Sequence, residues 1–214
     1  MKKIKYTTKH RLLRHPAVTV ASYFVFQGMR YMTRGERAFK LSITATLGLL
    51  AYYLGAHPGV ALIAGHTGNL LMNGQLPVLM RYVIGDVGLT MNRAHRALDK
   101  IRSTAPRFGV TEALFYGSFS RHSMTASSDI DIRFCHAPGF TSSLSAYAYA
   151  MYMRLWATYN FIPLDVYCFS SPSFLLRMRA DENPAILFRE PGLLALYPTA
   201  TDAYTTLKAN LGLR

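Results

Sequence analysis

The sequence predicts an α/β (α+β) protein in two parts. The first is an all-helical hydrophobic hairpin region over residues 1–86; the second, residues 87–214, is a domain with a small mixed sheet of three or more strands flanked by helices. Three observations carry this. Residues 41–80 contain no Asp, Glu, Lys or Arg. From residue 88 onward the apolar spacing becomes helical, then alternates at period two in short runs at 113–116, 129–134 and 163–169. The charge also divides near the middle: residues 1–107 hold 16 Lys and Arg against Glu36, Asp86 and Asp99, whereas residues 108–214 hold eight of each sign.

The chain opens on a basic stretch, residues 1–15, followed by an apolar run over 17–27. No small-residue cleavage site follows, and Arg30, Arg34 and Arg37 come next, so the pattern fits an amphipathic or interfacial element better than a cleaved leader. The charge-free stretch then begins. Ala56-His57-Pro58-Gly59 interrupts it at its middle, which predicts a turn between two helical arms. Each arm barely spans a hydrocarbon core of about 30 Å at 1.5 Å per residue. Basic residues flank both ends, which places both on the cytoplasmic side of a cell membrane. Lipid contact through residues 16–85 is therefore expected, by dipping in or crossing. A buried hairpin packed against a second copy of the chain is the other reading, and the glycines with His66, Thr67, Asn69, Asn73 and Gln75 keep it open. Gly55 and Gly59 could permit close helix approach. His66, Asn69 and Asn73 share one helical face and could line a site or satisfy one another across the hairpin.

Beyond Asp86 the pattern is that of a domain core. Met91, Ala94, Leu98 and Ile101 form a stripe at helical spacing, and Pro106 and Gly109 end that helix. A second helix is expected over 143–159 and a terminal one over 201–211, with Pro172, Pro184, Pro191 and Gly192 marking loops. Cys135 and Cys168 fall in predicted strands and read as buried free thiols.

In the run from Asp129 to Phe134, Ile130, Ile132 and Phe134 point into a core, and Asp129, Asp131 and Arg133 share the opposite face. Two carboxylates about 7 Å apart along one strand repel unless a cation lies between them. Hard oxygen ligands of this kind suit Mg²⁺. The run Leu164 to Phe169 repeats the device, with Asp165 opposite Leu164, Val166 and Cys168. Pairing these strands would bring three carboxylates to one edge, as a two-metal phosphoryl-transfer centre needs. Upstream, the strand at 113–116 runs into Gly117-Ser118. A glycine there lets backbone approach a phosphate, which the Ser118 hydroxyl, the following N–H groups and Arg121 could hold. Ser127-Ser128 reads as a tight turn delivering Asp129.

Gly117-Ser118, ten residues, Asp129-Ile130-Asp131 and a later apolar-Asp165-apolar strand together resemble the DNA polymerase β-type nucleotidyltransferase superfamily, in size its minimal members. The resemblance covers about residues 88–190. It implies a nucleotidyltransferase-like fold and transfer of a nucleotide, AMP foremost, from an NTP such as ATP to an acceptor hydroxyl, with release of pyrophosphate. Asp129 and Asp131 would bind two Mg²⁺ ions, with Mn²⁺ as a substitute. Asp165 would bind the catalytic metal and help deprotonate the acceptor. Gly117, Ser118, Ser120 and Arg121 would hold the triphosphate. One departure stands out: small members commonly carry glycine after the arginine, where this chain has His122.

The acceptor is left open. The net charge of +13 points to anionic lipid or nucleic acid as a partner, or to a plain solvated basic surface. An enzyme at the cytoplasmic membrane face is the first expectation. An RNA-directed enzyme or nucleic-acid binder is the second, and an antitoxin-like regulatory module without turnover the third. Aromatic-basic interleaving suited to base stacking is not evident.

Overall fold

The computed structural model describes residues 16–74, 76–84, 88–170, 183–188 and 200–210. The basic segment 1–15, the part boundary expected at 86/87 and the loop markers Pro172, Pro191 and Gly192 lie outside the described residues. Eight α-helices and a five-stranded mixed sheet make up the described fold.

Helix α1 spans Pro16–Phe26, and a 3-10 turn at Met29–Tyr31 leads to α2, Arg34–Tyr53. The start of α2 is set by Thr33, whose hydroxyl accepts from the Glu36 N–H at 3.3 Å, as a Thr-x-x-Glu sequence favours. After the turn at residues 54–57, α3 runs over Pro58–Asn73, with proline in its first turn and the His57 side chain accepting from Gly59 N–H. Helices α2 and α3 pack against each other at their glycines. A Cβ at Gly65 would lie 2.5 Å from Thr44 O and 2.6 Å from Gly48 N, so no side chain fits there. The close approach thus falls at Gly48 and Gly65, not at Gly55 and Gly59: a Cβ on Gly55 would meet nothing, and one on Gly59 only the His57 ring. Helix α4 follows at Leu76–Ile84. Among the described residues no helix is long and apolar enough to cross a membrane.

Helix α5, Met91–Thr104, buries Ala94, Ala97, Leu98 and Ile101, and a 3-10 turn at Ala105–Phe108 ends it at Gly109. Strand β1 is Val110–Tyr116 and runs directly into the four-residue helix α6, Gly117–Ser120. Strand β2 is Ile130–His136, α7 is Phe140–Tyr159 and β3 is Leu164–Phe169. Strand β2 pairs in parallel with β3 through the α7 crossover, the connection a parallel pair requires. Beyond the three runs legible in the sequence lie β4, Ala185–Phe188, antiparallel to β1, and β5, Thr201–Asp202. The expected terminal helix is therefore shorter. Asp202 ends β5 and caps α8, Ala203–Ala209, by accepting from Thr205 N–H. Sheet order is β3-β2-β1-β4-β5.

One face of the sheet carries Ala113, Phe115, Ile130, Ile132, Phe134, Val166 and Cys168, which join α5, α7 and α8 in one continuous core. Both cysteines are buried and free. The first four helices attach at the other side of β3, the open edge of the sheet. There Arg154 of α7, 1% exposed, pairs with Glu36 of α2 and donates to Val166 O at 2.6 Å and Asn73 Oδ1 at 2.6 Å. Glu36 in turn accepts from Cys168 N–H at 3.2 Å. Two backbone groups of an edge strand are thus satisfied by an ion pair from two helices, which also blocks another strand from adding there. The buried ammonium of Lys40 donates to Gln27 O at 2.8 Å and Asn73 O at 2.5 Å. Asn69 donates to Lys40 O and Thr44 Oγ1, and His66 Nε2 bonds Phe24 O. Each of His66, Asn69 and Asn73 thus bonds another element, while Asn69 Oδ1 and Asn73 Nδ2 stay buried without a partner.

Candidate active site

Asp131 and Asp165 meet where β2 and β3 run side by side. In their parallel register Asp131 stands beside Asp165, and Tyr116 of β1 stands on the far side of Asp131. Asp129 lies one residue before β2, delivered by a turn in which Thr125 O accepts from Ser128 N–H at 3.0 Å and Ser128 Oγ accepts from Thr125 N–H at 2.9 Å. The strand starts are tied by Ile130 N–H donating to Pro163 O at 2.7 Å. Two residues further on the same face Arg133 neighbours Tyr167, its guanidinium 4.6 Å over the phenol ring. Tyr31, from the first part of the chain, packs edge-on against Tyr167.

The turn after β1 is built around Asp131. Gly117 has φ 67°, in the left-handed region, and a Cβ on it would overlap Asp131 Oδ2. Glycine is required twice over, by backbone conformation and by the carboxylate occupying the side-chain space. The sequence motif and the acidic pair are thereby one contact. Ser118 Oγ is enclosed without a hydrogen-bond partner, as is Asp165 Oδ1. The hydroxyl of Ser120 donates to Gly117 O at 3.3 Å and so is used within the turn. Arg121 is exposed at the end of α6. His122 has φ 55°, a left-handed conformation that glycine adopts without strain.

Burial raises the Asp165 carboxyl from its ordinary value; the Arg133 guanidinium pulls it down and the nearby Asp129 pushes it up. A carboxylate held this way is a better proton acceptor than an exposed one. Burial and Arg154 hold the Lys40 ammonium well below its usual value, while Glu36 and Asp165 act in the opposite sense. Asp165 therefore lies within electrostatic reach of the buried network at the β3 edge.

These residues offer hard oxygen donors and an unpaired buried carboxylate oxygen, which is the chemistry a divalent cation such as Mg²⁺ takes from protein. Among the described residues no group of three or more His, Cys, Asp or Glu side chains is drawn together as a metal cage. Two carboxylates with water and phosphate oxygens completing the shell is the usual manner in which Mg²⁺ is held.

One residue that positions the site is invisible in the sequence. Asn210, fully buried after α8, donates to Phe119 O and Thr206 O and accepts from Met124 N–H. It clamps both ends of the loop behind Gly117-Ser118, and only the tertiary fold brings it there. The Glu36–Arg154 pair was equally unsignalled; the Thr33-x-x-Glu36 box marks a helix start but not the destination of its carboxylate.

No protein-family model matches this chain, and no curated protein and no solved structure matches it significantly.

Proposed function

We propose that this protein is a metal-dependent nucleotidyltransferase of nucleotidyltransferase-like fold, moving an NMP, AMP foremost, from an NTP to an acceptor hydroxyl. The observation that carries the reading is the interlock of Gly117 with Asp131, which itself stands beside Asp165. A backbone loop free of side chain against a carboxylate pair is what bringing a polyphosphate to a metal requires.

Asp129, Asp131 and Asp165 would hold the ions, whose chemistry is to offset phosphate charge and favour the departing pyrophosphate. The Ser118 hydroxyl, unpaired in its enclosure, is a donor for a phosphate oxygen. Asp165, its carboxyl raised by burial, takes the proton from the acceptor hydroxyl. That oxygen attacks the α-phosphorus, a new P–O bond forms, and the bond to the bridging α–β oxygen breaks. Pyrophosphate leaves with the electron pair. Arg121, exposed beside the turn, would contact the outer phosphates.

The test is incubation with α-labelled NTPs, Mg²⁺ and cell extract, comparing the native chain with Asp129→Ala/Asp131→Ala. The native protein is expected to transfer label at least ~10³-fold faster than the double variant, since metal-bound carboxylates sustain most of such a rate. If label reaches no acceptor above the variant's background, the reading fails.

A further inference from the structure

We infer that the distal part of the α2–α3 hairpin is a membrane anchor that enters one leaflet of an anionic bilayer from one side without crossing it. Helix α2 exposes Leu41, Leu49, Leu50, Tyr52 and Tyr53; Leu54 follows in the turn, and α3 exposes Val60, Leu62, Ile63 and Leu71. These are not grazing exposures: Tyr53 is 87% and Leu54 77% accessible. At 100° per residue, the exposed apolar positions span about half the circumference of each helix. The inward halves are taken by the Gly48–Gly65 packing. The outward sides of the pair are therefore uncharged and largely apolar, with Ser42, Thr46 and His57 as their exposed polar residues. A surrounding lipid phase covers such a shape.

Charge and length agree with lipid. Exposed Arg30, Arg34 and Arg37 stand at the foot of α2, and the next large exposed apolar residue, Leu41, begins one turn above Arg37. Beyond Arg37 the helix carries only one further charge, that of Lys40, which is buried. From Leu41 to Tyr53 the helix rises about 20 Å, enough to pass a headgroup layer and enter one leaflet of about 15 Å, but not a whole core of about 30 Å. The arginine collar then lies at anionic headgroups, as an interfacial anchor with a basic rim does. The inference is independent of the nucleotide-transfer reading and can fail or stand alone.

The experiment uses the full chain carrying Leu54→Cys labelled with a nitrobenzoxadiazole fluorophore; native Cys135 and Cys168 are buried and stay unmodified. Vesicles are phosphatidylcholine alone or an equal mixture with phosphatidylglycerol, with nitroxides near the glycerol backbone or near the chain end. The expected result is a blue shift and quenching by acyl-chain nitroxides. Binding to the anionic vesicles should be about a hundredfold tighter than to neutral ones, as three arginines at a charged surface supply. Ile63→Glu should lower binding at least ~10-fold with an unchanged melting temperature, because the site is exposed. A label that stays in water with anionic vesicles overturns the inference. So does a label already shielded without lipid in a chain that sediments as a dimer, which would assign the surface to a second copy.

Discussion

Asp165 is enclosed with one oxygen unpaired and a second acid nearby, so its ionised form is less favourable in the fold than in water. Because the folded pKa lies above the unfolded one, the folded chain binds this proton more tightly. Stability then falls as pH rises from the ordinary carboxylate range through the raised value. Asp165→Asn should accordingly raise the melting temperature at pH 7, by about 2–4 °C per kcal/mol relieved, and flatten that part of the pH profile while abolishing transfer. A melting temperature that drops at neutral pH would show the carboxylate to be a net structural asset instead. Gly117→Ala acts in the opposite sense. It places a methyl group on the Asp131 carboxylate in a left-handed backbone, and urea denaturation should show a loss of about 2 kcal/mol.

At the scale of elements, β3 is held at its open edge by side chains from α2 and α7 instead of by another strand. Glu36→Ala leaves the Arg154 guanidinium buried without its counter-ion, and should destabilise by about 3–5 kcal/mol. Replacing both partners with apolar residues should cost clearly less, since no charge is then stranded; equal losses would mean that packing, not charge, dominates. The loop between α6 and β2 depends on α8 through one residue. Asn210→Ala strands Met124 N–H and Phe119 O, should cost about 2–3 kcal/mol, and should raise KM for the nucleotide more than it lowers kcat.

For the whole molecule, the same network decides whether residues 1–86 are separable. A chain beginning at residue 87 lacks Glu36, Lys40 and Asn73, so Arg154 is uncompensated and Cys168 N–H is unpaired on an edge strand. Size-exclusion chromatography should show that chain as aggregates or oligomers. A monomer with cooperative unfolding would establish residues 87–214 as a self-sufficient domain.

How much of this was legible depends on the range of the interaction that specifies it. Alternation from Ile130 to Phe134 marked β2 and its two faces, because strand periodicity is a local property, and the same held for the stripe of α5. Strand β4 was not legible: Ala185–Phe188 is four residues of unbroken apolar character, too short for any period, and only pairing with β1 makes it a strand. The turn glycine was readable, but the carboxylate filling its side-chain space was not. The charge-free stretch and its turn were visible, yet its tightest packing lies at Gly48 and Gly65, a choice made by helix pairing. By itself, then, the sequence determined the helical and strand periods, the glycine- and proline-marked turns, and the acids on one strand face, all set within a few residues. Only the tertiary structure decided that Asp131 and Asp165 are neighbours, that Asn210 clamps the glycine loop, and that Glu36 and Arg154 close the sheet edge. Those contacts join residues far apart in the chain, and their free energy exists only once the core has brought them within hydrogen-bonding distance.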